Sequence, residues 1–160
     1  MNQNHRRLDE FDRKLLRLLQ HDADIPISEL AQQVNLSTTP CWRRIRLLKE
    51  SGVIQRQVAL LDPDKLNLGM TVFVAVRTRN HTRDWLARFK QVIDGIPEVV
   101  AFYRLSGDVD YLLRVVVPDI KAYDDVYKRL IAGIELEDVS SSFVMEQIKY
   151  TTALPLDYLA

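Results

Sequence analysis

The sequence predicts an α+β fold with two domains, a helical N-terminal domain and a C-terminal domain in which helices cover a sheet. Apolar residues recur at helical spacing in three segments before Gly52. From Thr71 onwards, helical segments alternate with β-rich runs in the order β-α-β-β-α-β. The run Asp62–Lys65 between the two patterns is a turn signal. The predicted division is residues 1–61 and 70–154 for the domains and residues 62–69 for the linker.

Composition narrows the class of protein. At 47% hydrophobic and 28% charged residues, the 160-residue chain is typical of a soluble globular protein. No apolar run reaches the roughly 20 residues of a membrane span, and residues Met1–Arg7 lack the apolar stretch of a secretory signal. The single cysteine, Cys41, excludes an internal disulfide, and the three histidines match no metal-ligand spacing. We expect a cytoplasmic protein with no membrane partner, no metal and no other cofactor.

The N-terminal domain begins with two predicted helices. The first runs from about Asp9 to Gln20, with Asp9 as a plausible N-cap and Asp12 three residues later. Its apolar side consists of Leu8, Phe11, Leu15, Leu18 and Leu19. The second helix is shorter, from about Pro26 to Val34, and it has Pro26 in its first turn, where a missing N–H costs nothing.

A third helix is predicted from about Thr38 to Ser51. Ser37 precedes it as a capping residue, and Gly52 follows it as the residue best suited to a left-handed C-cap. Its apolar face consists of Cys41, Ile45 and Leu48, so we interpret Cys41 as a small buried residue and not as a reactive thiol. Residues 53–61 look extended, and a short hairpin or wing would fit there. This pattern predicts a three-helix, winged helix-turn-helix domain.

The C-terminal domain is predicted to be a ferredoxin-like βαββαβ sandwich, in which two helices lie on one face of a four-stranded antiparallel sheet. The predicted strands are residues 71–78, 99–105, 111–117 and a long last strand at 139–150; the predicted helices are residues 82–94 and 119–132. The helix faces expected in the core are Trp85, Phe89, Val92 and Ile93 in the first helix, and Ile120, Tyr123, Val126, Tyr127 and Leu130 in the second.

The sheet has more apolar residues than two helices are expected to cover. The residues in this surplus are Phe73, Phe102, Val115, Val117, Phe143 and Met145. Self-association through the sheet would bury them, and two-fold symmetric dimers are the commonest assemblies. We therefore expect a homo-oligomer.

Charge is divided unevenly between the two parts of the chain. Residues 1–60 contain ten Lys and Arg against seven Asp and Glu, although the whole chain has 22 of each class and a net charge of zero. The third helix alone accounts for a surplus of +3, from Arg43, Arg44, Arg46 and Lys49 against Glu50. A basic helix of this kind indicates an anionic partner.

The third helix has the residue types of a DNA-reading helix. Such a helix needs short hydrogen-bonding residues in its first turn, and Arg or Lys within reach of guanine edges and phosphates. Free amides at its N-terminus also favour a phosphate. The candidate DNA-binding residues are Ser37, Thr38, Thr39, Trp42, Arg43, Arg44, Arg46 and Lys49. We expect phosphate contacts from Arg44 and Lys49, with Arg6 and Arg7 as further candidates. The alternative is an ordinary solvated basic face.

Several segments together resemble the Lrp/AsnC family of bacterial and archaeal regulators. Residues Ser37–Ile54 closely resemble that family's reading-helix motif, and Asp9–Leu16 its opening helix. Leu60–Pro63 is similar to its linker, and Ser106–Leu113 to part of its ligand-sensing domain. The resemblance implies double-stranded DNA as a partner, homodimers that often assemble into octamers through the C-terminal domain, and regulation by a small molecule, usually an amino acid.

Two segments resemble a narrower, proteobacterial subgroup associated with cysteine breakdown. They are Thr38–Trp42 and Ser141–Tyr150. This resemblance suggests cysteine as a candidate effector.

A second candidate site is the turn around Gly107. Two nearby carboxylates, Asp108 and Asp110, could receive the ammonium group of an amino acid. The alternative is a tight β-turn in which Gly supplies a positive φ and Asp caps the backbone. Family resemblance adds weight to the ligand interpretation, because this turn borders the effector pocket in the family's sensors. The candidate effector residues are Ser106, Gly107, Asp108, Asp110, Ser140, Ser141 and Ser142; the serines could equally be ordinary strand residues.

The sequence thus predicts a sequence-specific transcription regulator of amino-acid metabolism that is not an enzyme. An architectural DNA-compacting protein is the first alternative. The second is a small ferredoxin-like enzyme in which Asp108 and Asp110 do acid–base work. The chain offers that enzyme no activated nucleophile, phosphate loop or metal set.

Overall fold

The structure, a computed structural model, describes residues 8–158. Its described residues form two compact units. The first contains the residues up to Ala59 together with those from Lys149 onwards, and the second runs from Leu60 to Ile148. No described helix is long and apolar enough to cross a membrane. The elements are α1 (Glu10–His21), α2 (Ile27–Gln33), α3 (Thr38–Glu50), a 3₁₀ turn (Asp64–Leu66), β1 (Met70–Arg77), α4 (Arg83–Asp94), β2 (Val99–Arg104), β3 (Tyr111–Val117), α5 (Ile120–Gly133) and β4 (Asp138–Phe143).

The helical unit has a small apolar core between its three helices. The buried cluster consists of Leu15 from α1, Leu30, Ala31 and Val34 from α2 and the turn after it, and Cys41 from α3. Asp9 caps α1 as predicted: the Asp12 backbone N–H donates to Asp9 Oδ1 at 2.9 Å, and the Asp9 backbone N–H donates to Asp12 Oδ2 at 3.4 Å. At the other boundary, Gly52 follows α3 with a φ of +75°.

The second unit confirms the predicted ferredoxin-like sandwich. Its four strands are antiparallel in the order β2-β3-β1-β4. Residues of the sheet and of α4 and α5 share one buried cluster, which includes Val74, Leu113, Phe89 and Val126. Alternation along the strands directs every second side chain into this cluster.

The last strand is shorter than the predicted 139–150. β4 pairs with β1 only up to Phe143, opposite Val72, and the Val144 N–H then donates to the Thr71 carbonyl. Because β1 begins at Met70, a longer β4 would have no partner there. Residues 53–61 also differ from the prediction, because they form no strand or hairpin in the described chain.

Most of the residues in the predicted apolar surplus are covered by the helices, so that prediction was wrong for them. Val115 and Val117 are buried against the helices, and Phe102 and Phe143 contact the rings of Phe89 and Tyr123 on the same side. Of the surplus residues, Phe73 lies on the open face, while Met145 lies beyond the end of β4. Tyr103, Leu112 and Val116 join Phe73 on that face by strand alternation. Ile120, which was expected in the core, is instead exposed near the start of α5.

Candidate DNA-binding surface and effector site

The first turn of α3 is exposed. Ser37 occupies the N-cap position with an extended backbone, but its hydroxyl makes no capping hydrogen bond, which differs from the predicted role. Thr38 and Thr39 are also exposed. The first amides of a helix have no intrahelical partner, so this turn offers N–H and hydroxyl groups to a ligand such as a phosphate or a base edge.

Trp42 and Arg46 form a cation–π pair one helical turn apart. The Arg46 guanidinium carbon lies 5.2 Å from the centroid of the Trp42 ring, and Arg46 Nε lies 3.0 Å from Glu50 Oε1. The Trp42 residue is 53% exposed. A guanidinium near both a ring and a carboxylate has favourable interactions with each, and the pair presents a donor group at the exposed surface of α3.

Arg44 has a different environment from the other cations of α3. Its Nη1 lies 2.7 Å from Asp9 Oδ2 and 2.9 Å from Asp12 Oδ1. The Asp12 side chain is 1% exposed, so this ion pair ties α3 to the start of α1 from inside the unit. Although burial lowers the pKa of Arg44, hydrogen bonds and Coulomb attraction from both carboxylates raise it above its usual value.

The positive charge of α3 that is not offset by a carboxylate comes from Arg43 and Lys49. Within residues 8–158, Arg43 is exposed and has no ion-pair partner. Lys49 Nζ donates to Gln57 Oε1 at 2.8 Å, and Gln57 is a neutral partner. Gln57 Nε2 in turn donates to the Ala23 carbonyl at 3.3 Å. One amide therefore fixes the segment after α3 to both α3 and the turn that precedes α2.

The opposite face of α3 anchors the helix in the core. Cys41 and Leu48 are fully buried, and burial raises the pKa of the Cys41 thiol. The prediction that Cys41 is a buried small residue is confirmed. With Cys41 and Leu48 inside, Trp42, Arg43, Arg46 and Lys49 are all exposed, as the helical spacing predicts.

The Gly107 turn is built on Asp110. The Asp110 carbonyl accepts from the Leu105 N–H at 2.8 Å, and its N–H donates to the Val76 carbonyl at 3.1 Å. Its side-chain Oδ2 accepts from the Thr78 N–H at 2.9 Å. Asp110 therefore holds the turn between β2 and β3 to the end of β1, and Ser106, Gly107 and Asp108 project from this support as exposed residues. Gly107 has a φ of +129°, a conformation that favours glycine.

The three predicted serines do not share one face of the sheet. Ser140 and Ser142 alternate with Ser141, whose hydroxyl hydrogen-bonds with the Tyr123 hydroxyl on the helix-covered side. Ser140 and Ser142 are exposed on the open side, where they pair with Ala75 and Phe73. Ser140 and Leu112 both pair with Ala75, so they lie in one row across the sheet. Leu112 is the second residue of β3, the strand that follows the Gly107 turn.

Gln20 and Gln57 were missed among the positioning residues. Gln20 bonds to Leu154 and Gln57 bonds to Ala23, and no local pattern marks such distant partners. The sequence marked Asp12 as the residue three positions after the N-cap, but it did not indicate the pairing of Asp12 with Arg44.

The helix-turn-helix unit and the ferredoxin-like unit together define a class of two-domain DNA-binding regulators. The winged helix-turn-helix DNA-binding model matches residues 8–55, and the Lrp/AsnC ligand binding domain model matches residues 71–154. The chain belongs to the Lrp/AsnC family, and it is a DNA-binding transcription regulator of that type.

Two regulators are similar to this chain over nearly its whole length. It is 52% identical to the DNA-binding transcriptional activator DecR of Escherichia coli, over 94% of this chain and 99% of that protein. It is also 52% identical to the glutamate uptake regulatory protein of Zymomonas mobilis, over 94% of this chain and 92% of that one.

Solved structures agree with the fold. An AsnC family transcriptional regulator from Agrobacterium tumefaciens is 63% identical, with a TM-score of 0.92, over 96% of this chain and 100% of that one. A transcriptional regulator of Neisseria meningitidis, solved in complex with L-methionine, is 36% identical, with a TM-score of 0.90, over 96% and 99% of the two chains.

Proposed function

We propose that the protein is a cytoplasmic, sequence-specific regulator of genes of amino-acid metabolism, whose affinity for its operators changes when an amino acid binds the C-terminal domain. The observation that supports DNA reading most directly is the exposed surface of α3, where a hydrogen-bonding first turn precedes the cation–π pair of Trp42 and Arg46. We assign DNA binding to residues 1–61, the linker to residues 62–69, and effector sensing and assembly to residues 70–154, of which residues 149–154 pack in the helical unit.

The residues of α3 divide their work between bases and phosphates. Thr38, Thr39, Trp42, Arg43 and Arg46 contact base edges, and Ser37 and Lys49 contact phosphate. Arg44 was predicted as a phosphate contact, but its guanidinium is engaged by Asp9 and Asp12, so we assign it the positioning of α3. Arg6 and Arg7 lie outside the described residues and stay predicted phosphate contacts.

The effector site that we propose consists of Ser106, Gly107, Asp108, Ser140 and Ser142. Asp110 and Ser141 support it from below, because their side chains are bonded to Thr78 and Tyr123. The bound L-methionine of the Neisseria meningitidis regulator supports an amino acid as the effector class. Cysteine is our first candidate, from the resemblance of Thr38–Trp42 and Ser141–Tyr150 to the cysteine-related subgroup.

The proposed assembly is a homodimer that forms an octamer. Phe73, Tyr103, Leu112 and Val116 support it, because they leave an apolar patch on the sheet face opposite the helices. In an oligomer, paired reading helices would span two half-sites, and the effector would change how the dimers associate.

A binding experiment at fixed salt tests the function. Operators are first selected from fragmented genomic DNA, and the affinity for a selected operator is then compared with that for a scrambled duplex of equal length. We expect the operator to bind about 1,000-fold more tightly, the lower end of the range for specific DNA-binding proteins. Equal affinities at matched salt would instead support an architectural DNA-compacting protein.

A screen of free amino acids tests the effector. Each is added at millimolar concentration while the melting temperature and the operator affinity are measured, because a ligand of the folded state alone raises its stability. We expect cysteine, or a related amino acid, to shift both quantities. No shift with any amino acid would exclude the effector class.

A further inference from the structure

The chain returns to its helical unit after completing the sandwich unit. Residues from Lys149 onwards belong to the unit that contains α1, although they follow β4 in sequence. We name residues 149–157 the C-terminal strap. The backbone therefore passes between the two units twice, once after Ala59 and once after Ile148.

One side chain of α1 satisfies both backbone groups of a strap residue. The Leu154 N–H donates to Gln20 Oε1 at 2.7 Å, and Gln20 Nε2 donates to the Leu154 carbonyl at 3.2 Å. A primary amide offers a donor and an acceptor side by side, so it replaces the pair of backbone groups that a neighbouring strand would supply. A residue at this position without both functions leaves at least one group of Leu154 without this partner.

The residues on either side of Leu154 favour its contact with Gln20. Pro155 follows it and restricts Leu154 to an extended conformation, which turns its N–H and carbonyl outwards from the chain. Before it, the Ala153 N–H donates to Thr151 Oγ1 at 3.1 Å. Arg17, one turn before Gln20 on α1, adds an ion pair of 3.0 Å to Asp157. That pair is well exposed and contributes little, whereas Gln20 bonds to both backbone groups of one strap residue.

The strap connects two parts of the proposed mechanism. It follows β4, which contains Ser140 and Ser142, and it ends on α1, which the Arg44 ion pairs tie to α3. We propose that the C-terminal strap is a conformational coupling element: Gln20 is its positioning residue, and a change at the effector site reaches α3 through the strap and α1. The coupling role rests on the proposed function, whereas the attachment to α1 does not.

Two glutamine substitutions in the full-length protein test the attachment. Gln20→Met keeps side-chain length and helix propensity but removes both hydrogen bonds; Gln91→Met makes the same exchange at an exposed position of α4. Hydrogen–deuterium exchange is measured without DNA and without amino acids. We expect the Leu154 amide to exchange at least roughly tenfold faster in Gln20→Met and at an unchanged rate in Gln91→Met. Equal exchange rates at Leu154 in the two variants would show that Gln20 does not attach the strap to α1.

Gln20→Glu provides a graded version of the same test. Its carboxylate still accepts from the Leu154 N–H but has no donor for the Leu154 carbonyl. We expect exchange at Leu154 between the rates of the wild type and Gln20→Met. Circular dichroism checks that α1 remains folded in each variant.

The coupling role is tested by the effector response. Operator affinity is measured with and without the active amino acid, together with the affinity for that amino acid. We expect Gln20→Met to bind the amino acid like the wild type but to lose most of the effector-dependent change in operator affinity. Fast exchange at Leu154 with an intact response would refute coupling. If the wild type responds to no amino acid, the proposed function fails while the exchange experiment still decides the attachment.

Discussion

The two units of the chain are held together in different ways. The sandwich unit has a buried cluster of 14 residues, with the rings of Trp85, Phe89 and Tyr111 in mutual contact. The cluster described for the helical unit has five members, one of them a cysteine. Small domains bury too little apolar surface to be held by it alone, and the helical unit adds polar contacts from Asp9, Arg44 and Gln57. Directional contacts of this kind link α3 to α1 and to the segment that follows α3.

The largest effect is expected in the aromatic core of the sandwich unit. Phe89→Ala removes a fully buried ring that lies 5.0 to 5.4 Å from three other rings, so it leaves a cavity. We expect a loss of about 3–5 kcal/mol in the free energy of unfolding, measured by chemical denaturation. Ile120→Ala is the control, because Ile120 is 65% exposed and its truncation should cost less than about 1 kcal/mol. Similar losses in both variants would contradict a core centred on Phe89.

Arg44→Ala should destabilise the helical unit by about 2 kcal/mol. The substitution removes the guanidinium from the buried carboxylate of Asp12, and the loss of a charged partner from a buried charge is costly. Denaturation followed by helical circular dichroism measures the loss. A double variant with Asp12→Asn should recover part of the stability, because the charge itself is then removed. No recovery would indicate that Arg44 acts through other contacts.

Arg43→Ala, one residue earlier, should produce the opposite pattern. Arg43 is exposed and has no ion-pair partner among residues 8–158, so its loss should change stability by less than about 0.5 kcal/mol. Operator affinity should fall by about 1–3 kcal/mol in a gel-shift titration at fixed salt. Unchanged operator affinity would remove Arg43 from the reading surface. Together, the neighbouring variants separate the positioning of α3 from its contact with DNA.

The same comparison explains which features the sequence could predict. Local periodicity was sufficient to place α3, because the buried Cys41 and the glycine after the helix are visible within one short segment, although Ser37 does not make the predicted capping bond. The role of Arg44 was not accessible, since its partner carboxylates lie more than 30 positions away and any of four basic residues could have met them. Tertiary pairing also decides where a strand ends, which is why β4 stops at Phe143 although residues up to Tyr150 look β-rich.

The sequence predicted the turn of the proposed effector site but not the contacts that support that turn. The Gly107 turn is visible in sequence because a glycine lies between two short polar residues. Strand alternation then assigns Ser141 to the helix-covered side, a result that requires the register of β4 against β1. Asp110 looks like a ligand carboxylate in sequence, yet its bond to the Thr78 N–H gives it a supporting role.

The smallest expected effect is a pH dependence in the helical unit. Although burial raises the pKa of Asp9, the Asp12 backbone N–H and the Arg44 guanidinium outweigh it and hold that pKa below its usual value. A depressed pKa stabilises the folded state above the unfolded value, which is near 3.9 for Asp, and the stabilisation is lost as the pH falls through the folded pKa. Asp9→Asn retains N-capping but removes the charge. Because the Asp9 side chain is 48% exposed, the wild type should exceed Asp9→Asn by less than about 1 kcal/mol at pH 7, and this advantage should vanish in acid. Unfolding free energies measured as the pH is lowered from 7 check this, and a difference between the two proteins that does not decrease with falling pH would show that the contribution of Asp9 is not electrostatic.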